Sequence, residues 1–333
     1  MPRLPMPPGP LSSVSEEELL SLIFPVYATG ESDVQNDWTL IGPGDDTALL
    51  RTSDGCTLAT TDTMVRGSDW LDEWSTAEQV GAKCVAQNVA DIAAMGGVTR
   101  GILVTLAADP ATSVAWAVES AGGIAAAARA AGAHVLGGDL SSAPAGTVML
   151  SITALGDLEG RAAVRRNGAR PGDVIAVAGT LGRSGAGFEL LSTGRRDDDP
   201  ELVEVHLRPR PPVEQGPVAA KAGATSMIDL SDGLVVDAAR VARASDVVMA
   251  ISAAGVAPDV ARLAPVLGAD VGLRCVLGGG EEHSLLATFP TSAQVPQGWR
   301  VIGRVHEVGD DDYPRMTFNG SDPHVATWDH FDR

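Results

Sequence analysis

The sequence predicts a two-domain α/β (α+β) protein, and three observations lead to that fold class. A chain of 333 residues is more than one ordinary hydrophobic core organises, which suggests two domains of roughly 150 residues each. Strand-like and helix-like patterns alternate through both halves, as in mixed sheets with helices packed on them. Between the halves, Gly160 to Asp173 (GRAAVRRNGARPGD) is basic and rich in turn formers, and it reads as the junction. The expected organisation is a flexible Pro-rich tail at 1–14, an N-terminal domain at 15–158 and a C-terminal domain at 159–333.

Each element has a local reason. Ser15 and Glu18 have capping-box spacing, opening a short helix that Pro25 should end. Cys56 to Thr61 is β-rich and ends in Asp62, followed by an acidic loop at Asp69 to Trp74. Ser75 caps a long helix in which Val80, Cys84, Val85, Val89, Ile92 and Ala93 recur with helical period until Gly96 and Gly97 stop it. Ile102 to Leu106 reads as a buried strand, and Ser113 caps an alanine-rich helix running to about Ala131. His134 to Leu136 is a short strand delivering Gly137, Gly138 and Asp139, and Thr147 to Leu155 alternates as another strand. The second half is read as strand Val174 to Ala178, a helix from about Arg183, a Pro-rich connection at Arg208 to Pro212 and a helix near Gln215 to Ala222. Strand Ser226 to Ile228, a helix from Gly233 to Ala244, strand Val247 to Ile251, the segment GGGEEHSLLATF and a strand near Val301 to Val305 follow.

Composition excludes several classes. Asp+Glu 43 against Lys+Arg 24 gives a net charge of -19, the wrong sign for a nucleic-acid or anionic-membrane surface. The longest charge-free stretch, Leu140 to Gly156, is full of Ser, Thr, Pro and Gly, which are costly in hydrocarbon. Cys56, Cys84 and Cys275 are far apart with no CxxC pair, so a reduced compartment fits best. The N-terminal MPRLPMPPGP has no apolar run and does not read as a signal peptide. The expectation is a cytoplasmic protein with no nucleic-acid or membrane partner.

Familiar phosphate-binding and catalytic motifs are absent. Neither Lys83 nor Lys221 follows a glycine, which excludes a P-loop. The glycine clusters at 42–44, 182–187 and 278–280 all fail the GxGxxG spacing. There is no GxSxG elbow, HExxH pair or kinase HRD loop.

The informative feature is a set of isolated acids in apolar or Gly-rich context. Asp45 and Asp46 end LIGPGDD, Asp62 ends CTLATTD, Asp139 ends HVLGGD, and Asp229 and Asp232 lie in SMIDLSDGL. Each follows a predicted strand, where α/β sheets gather ligands. Asp91 lies in a helix of small and apolar residues, three positions after Asn88, and a carboxylate there is expensive unless paired or metal-bound. The runs Asp197 to Asp199 and Asp310 to Asp312 lie in polar loops and read as solvated. Carboxylates held within ~4 Å repel by about 1 to 4 kcal/mol per pair, so a convergent cluster must take up protons or cations. Oxygen-only ligands favour Mg²⁺, Ca²⁺ or Mn²⁺ over zinc. Mg²⁺ bridging carboxylates and phosphates would serve phosphoryl transfer without a covalent nucleophile, and Arg166 is a candidate to complete the clamp.

The segments IGPGDDTAL, TTDTMVRG, KCVAQNVADIAAMGG, LGGD, GRAAVRRNGARPGD, IDLSDGL, GGGEEHSLL and WDHF, in that order, resemble the thiamine-monophosphate kinase family from about residue 16 onward. That family lies in the superfamily of aminoimidazole ribonucleotide synthetase and selenophosphate synthetase. The resemblance implies a synthetase-like homodimer, its N-terminal mixed sheet with helices pairing across the dimer and its C-terminal α/β domain completing the site. It also implies direct transfer of the ATP γ-phosphoryl group to thiamine monophosphate, the two substrates meeting in a cleft between the domains. Carried over by position, Asp46, Thr60, Thr61, Asp62, Asp91, Asp139, Asp229 and Asp232 would be Mg²⁺ ligands. Gly138, Asp139, Arg166 and Ser231 would touch ATP, and Glu281 and Trp328 the thiamine moiety.

Two departures bear on substrate. Where the family has a GxHF run, this chain has Gly67-Ser68-Asp69-Trp70, so Asp69 stands where a His is expected to contact the substrate phosphate and should repel it unless turned away. The GGED[YF]EL pattern becomes Gly279-Gly280-Glu281-Glu282-His283-Ser284-Leu285. Two alternatives stay open: another synthetase of the superfamily acting on a different phosphorylated or amide substrate, and a non-catalytic Mg-nucleotide-binding relative with Asp69 as the lesion.

Overall fold

The structure, a computed structural model, describes residues 9–28, 39–41, 49–290, 295–309 and 314–325, with side chains omitted at 16, 17, 39–41 and 49. Asp45, Asp46, Trp328 and the run Asp310 to Asp312 lie outside the described residues. The chain forms two compact units, one of Met1–Ile92 with Thr99–Glu159 and the other of Ala93–Val98 with Gly160–Arg333.

The first unit contains α1 (Glu16–Ala28), β1 (Thr39–Ile41), β2 (Leu49–Leu50), β3 (Leu58–Val65), α2 (Ala77–Ala94), β4 (Val98–Ala108), α3 (Val114–Ala130), β5 (His134–Ser142) and β6 (Val148–Asp157). Ser15 and Glu18 form the expected reciprocal cap, Ser15 N–H donating to Glu18 Oε2 at 2.8 Å and Glu18 N–H to Ser15 Oγ at 3.1 Å. The helix does not stop at Pro25 but carries it internally to Ala28, where packing against α3 outweighs the one missing ladder bond. The cap of α2 is Thr76 with Gln79, not Ser75: Gln79 N–H donates to Thr76 Oγ1 at 3.2 Å and Thr76 N–H to Gln79 Oε1 at 3.0 Å. Ser113 caps α3 as expected, accepting from Ala115 N–H. Residues 9–14 are tied to the loop before α3, with Leu11 N–H donating to Thr112 O at 2.6 Å and Val114 N–H to Gly9 O at 3.0 Å.

Among the described residues four strands form a sheet in the order β3-β6-β4-β5. Strands β3 and β6 run antiparallel, with Asp62 opposite Ile152, and β4 and β5 run parallel. Helices α2 and α3 approach closely because Gly81 and Gly123 lack side chains: a Cβ on Gly81 would lie 2.2 Å from Ser120 O and one on Gly123 2.0 Å from Glu78 O. The buried residues Val80, Cys84, Val85, Val89 and Ile92 of α2, with Leu150 and Ile152 of β6, form its core.

The second unit contains β7 (Val174–Ala178), α4 (Arg183–Ser192), α5 (Pro200–Leu207), α6 (Gln215–Lys221), β8 (Ser226–Asp229), α7 (Leu234–Ser245), β9 (Val248–Ile251), α8 (Ala253–Leu267), α9 (Ala269–Gly278), β10 (Leu285–Phe289), β11 (Trp299–His306) and β12 (Met316–Phe318). Its described strands are ordered β12-β9-β11-β7-β10-β8, antiparallel throughout except for the parallel pair β12 and β9. Its core gathers Val174, Ala176, Met227, Leu285, Phe289 and Trp299, with the Phe289 and Trp299 rings edge to face at 5.6 Å. Asp199, read from sequence as part of a solvated run, is the N-cap of α5, accepting from Leu202 N–H at 3.2 Å and gripped by Arg262 at 2.8 Å.

Candidate active site

Asp62 and Asp139 do not end their strands. Both lie inside longer ones, because ladder pairing overrides the low strand preference of Asp. Asp229 closes β8, Asp232 follows that strand, and Asp91 lies inside α2, each as the sequence predicts.

In the first unit the chemistry gathers where β3 meets α2. Side chains alternate along a strand, so Thr60, Asp62 and the buried Met64 share one face while Ala59, Thr61 and Thr63 are exposed on the other. Thr60 Oγ1 donates to Asp91 Oδ2 at 2.6 Å. Asn88, fully buried, accepts from Asp62 N–H at 3.1 Å and donates from Nδ2 to Cys84 O at 2.9 Å. The helix therefore grips the acid-bearing strand at two successive same-face positions. Thr61 turns the opposite way, its hydroxyl donating to Ile152 O at 3.0 Å, so toward the Thr60 and Asp62 face it can offer only its backbone. Burial pushes the Cys84 thiol well up, and the charges of Asp62 and Asp69 push it further; Cys84 is a packed thiol and not a nucleophile.

Asp139 lies on β5, the opposite edge of the sheet from β3. Three strand spacings separate the two backbones by about 14 Å, so the sheet itself does not bring Asp139 to Asp62. Asp139 is exposed and accepts from Ser141 Oγ at 2.9 Å. Gly138 beside it admits no side chain, since a Cβ would fall 1.7 Å from Val104 O.

Asp69 is turned into its own turn. Its Oδ2 accepts from Val65 N–H at 2.7 Å and its N–H donates to Val65 O at 3.0 Å. Beyond it Trp70 is buried, stacks on Trp116 at 6.1 Å and donates from Nε1 to Asp72 at 3.1 Å.

In the second unit a carboxylate group surrounds the loop between β8 and α7. Asp229, buried, has Oδ2 3.0 Å from His283 Nδ1. Arg240 Nη1 lies 2.5 Å from Asp232 Oδ2 and 2.6 Å from Asp237 Oδ1, and Asp232 N–H donates to Asp237 Oδ2 at 3.0 Å. Asp237 has no exposed surface. Burial, with the charges of Asp229 and Asp232 adding to it, pushes its pKa up to about 7 against the Asp232 N–H and Arg240. Ser231 accepts from Glu281 N–H at 2.9 Å. Arg166 is exposed, and its carbonyl accepts from Ser245 Oγ at 3.2 Å.

The Glu281-Glu282 pair divides its roles. Glu282 is buried and caps α4, accepting from Arg183 N–H at 2.8 Å and from Thr180 Oγ1. Burial raises its pKa against those bonds. Glu281 reaches the other way, Oε2 lying 3.4 Å from His206 Nδ1.

Sequence reading missed Asn88, Asp237, Arg240 and His206 as parts of these groups. Asn88 was detectable at three residues before Asp91. Asp237 was detectable as the polar member of a buried stripe shared with Leu234, Ala238, Val241 and Ala242. His206 carries no usable signal in the sequence, because α5 is not among the elements the sequence predicts.

Among the described residues no group of three or more His, Cys, Asp or Glu side chains is drawn together as a metal centre. The donor chemistry nevertheless fits a hard cation. Thr60, Asp62 and Asp91 offer only oxygen on one face of β3, and Mg²⁺ is normally held by one or two carboxylates with water and phosphate oxygens filling the rest.

Fold and site together define the class. Residues 44–158 match the N-terminal domain of the AIR synthase related proteins, and residues 170–310 match their C-terminal domain. The chain is 46% identical over 269 residues to the thiamine-monophosphate kinase of Mycobacterium tuberculosis, covering 80% of this chain and 79% of the relative. It is 32% identical over 280 residues to that of Escherichia coli, covering 83% and 82%. A solved structure described as AaThiL complexed with AMPPCP and TMP superposes with a TM-score of 0.74 at 29% identity, covering 96% of this chain and 99% of that one. The thiamine-monophosphate kinase from Stenotrophomonas maltophilia gives 0.75 at 29%, covering 92% and 98%. The chain belongs to the thiamine-monophosphate kinase family within the AIR synthase related proteins.

Proposed function

We propose that this protein is a kinase that phosphorylates thiamine monophosphate with ATP, giving thiamine diphosphate and ADP by direct transfer, and that it depends on Mg²⁺. The observation that carries the reading is the 46% identity, over 80% of the chain, to a thiamine-monophosphate kinase. The complex of a 29% identical relative with AMPPCP and TMP supports ATP and thiamine monophosphate as the substrates.

The proposed Mg²⁺ ligands are Asp46, Thr60, Thr61, Asp62, Asp91 and Asp139 of the first unit, with Asp229 and Asp232 of the second. Bound Mg²⁺ supplies neutralisation of charge on the transferring phosphoryl oxygens. The chain's own residues prepare for it. Asn88 fixes the backbone at Asp62, and Thr60 orients the Asp91 carboxylate, so the acids are held before substrate arrives. The exposed Arg166 offers a guanidinium to phosphate, and Gly138 and Ser231 complete the proposed ATP contacts. Glu281 and Trp328 are proposed to contact the thiamine moiety. The alternative of a non-catalytic relative leaned on Asp69 repelling the substrate phosphate, and its carboxylate is committed to Val65 N–H.

The homodimer belongs to this reading. On the first unit's sheet, Ala59, Thr61, Thr63 and Leu103 are exposed, Leu103 by 37%, and β3 and β5 are both edges among the described strands. An apolar and hydroxyl-bearing face with two available edges suits a second copy. A cytoplasmic setting accords with Cys56, Cys84 and Cys275 being free thiols. Among the described residues no helix is long and apolar enough to cross a membrane.

The test is turnover of thiamine monophosphate by the wild type beside Asp62→Asn and Asp232→Asn. Both variants are expected to keep the wild-type melting temperature within a few degrees and to lose thiamine diphosphate formation. Wild-type rates in both would overturn the ligand assignment.

A further inference from the structure

We propose that Phe188, with His206 packed against it and Glu281 reaching the same imidazole, receives the cationic aromatic ring of the substrate, and that Phe188 sets affinity for that ring. The inference rests on the thiamine-monophosphate kinase reading, which supplies a substrate whose cationic thiazolium ring stands between a neutral aminopyrimidine and a phosphate-bearing arm.

Phe188 lies on α4 and is 45% exposed, the only large aromatic side chain exposed among the described residues. Its ring centroid is 5.6 Å from that of His206, with the planes at 59°, so a neighbouring ring fixes its orientation. His206 is buried, and its Nδ1 lies 3.2 Å from Ser184 Oγ and 3.4 Å from Glu281 Oε2. The imidazole therefore links the exposed ring to the carboxylate. Ser184 and Glu281 meet the same ring nitrogen, so His206 cannot relay a proton between them as a hydrolase triad would. Its role is to position.

Glu281 carries an independent mark. Its φ is 62°, the left-handed region that a non-glycine residue enters at a cost, and such strain persists where the surrounding structure enforces it, commonly at ligand sites. Its side chain is 38% exposed, so the carboxylate touches His206 while still facing solvent. All these residues lie in the second unit.

A flat aromatic face and a carboxylate that both meet one imidazole attract a cationic heterocycle in two ways, through the ring quadrupole and through charge. The same carboxylate repels a phosphate, which orients the ligand with its ring toward Phe188 and its phosphate away. A neutral base gains only the stacking component.

The experiment uses the full-length protein and measures binding of thiamine monophosphate by calorimetry, with steady-state kinetics in thiamine monophosphate and separately in ATP. Phe188→Ala, at an exposed position, is expected to fold normally and to raise the Kd and KM for thiamine monophosphate about tenfold, equivalent to 1.4 kcal/mol, while KM for ATP moves less than twofold. Phe188→Trp is expected to restore the KM to within threefold of wild type. His206→Gln is expected to raise the KM for thiamine monophosphate in the wild-type background and to add less than twofold in a Glu281→Gln background, because it acts through that carboxylate. An active wild type whose Phe188→Ala variant has unchanged Kd and KM overturns this inference and leaves the kinase reading standing. Additive effects of His206→Gln and Glu281→Gln overturn the positioning role. A wild type that binds Mg-ATP but neither binds nor phosphorylates thiamine monophosphate overturns the kinase reading and this inference with it.

Discussion

Replacing Asn88 with Ala tests how the acid-bearing strand is held. Asn88 is fully buried and makes two hydrogen bonds through its amide, one from Asp62 N–H at 3.1 Å and one to Cys84 O at 2.9 Å. Truncation leaves the Asp62 N–H without this acceptor, which costs about 1 to 3 kcal/mol for a desolvated donor. Cys84 O remains in the α2 ladder, so its loss is smaller, about 0.5 to 1 kcal/mol. The total of about 1.5 to 4 kcal/mol corresponds to a fall in Tm of roughly 4 to 15 °C for a unit of this size. Far-UV circular dichroism during heating measures it. At 25 °C, where the fold is retained, turnover should fall more than tenfold, because Asp62 loses its fixed backbone. A Tm within 2 °C of wild type would refute the reasoning.

Further outcomes follow from the same geometry. Gly138→Ala should be destabilised by several degrees in Tm and bind ATP more weakly, because its Cβ would fall 1.7 Å from Val104 O; wild-type Tm and nucleotide affinity would show that β5 can shift freely. Asp69→Ala should cost about 1 kcal/mol through loss of the Val65 N–H acceptor, with the KM for thiamine monophosphate changing less than threefold; a tenfold fall in KM would show that the charge faces the substrate. The Arg262 hydrogen bond and charge hold the Asp199 carboxyl below its ordinary value, as does its cap on Leu202 N–H. A depressed carboxylate contributes stability above its unfolded pKa that is lost as pH falls through the folded one. The Tm difference between wild type and Asp199→Asn should therefore be largest above pH 5 and close as pH falls below about 3; a gap that widens in acid would contradict it.

Legibility in the sequence followed local determinacy. Strand β7 could be read residue for residue, Val174–Ala178, because an unbroken apolar run is bounded by Asp173 and Gly179. Ser113 could be read as a cap because its hydroxyl answers a purely local need. Strand β3 was read short, because Asp62 looks like a terminator and only its pairing with β6 carries the strand on to Val65. Helix α5 was hidden by Asp199 and Pro200, which read as loop residues and are instead a cap and a first-turn proline. At the site, the residue types announced acid chemistry, and part of what holds the acids is local: Arg240 meets Asp237 at i,i+3 on α7 and also reaches Asp232. His283, by contrast, faces Asp229 across more than fifty positions, a pairing that depends on tertiary contact and leaves no periodic trace. Nor does the sequence show that β6 and β4 lie between the strands of Asp62 and Asp139, because strand order is set by tertiary pairing.

The most direct test of the central claim is to incubate the purified protein with ATP and thiamine monophosphate, with Mg²⁺ and with excess EDTA, and to quantify ADP and thiamine diphosphate chromatographically. The account predicts equal molar amounts of both products with Mg²⁺ and neither with EDTA. Formation of ADP without thiamine diphosphate, or of thiamine diphosphate at an undiminished rate in EDTA, would contradict it.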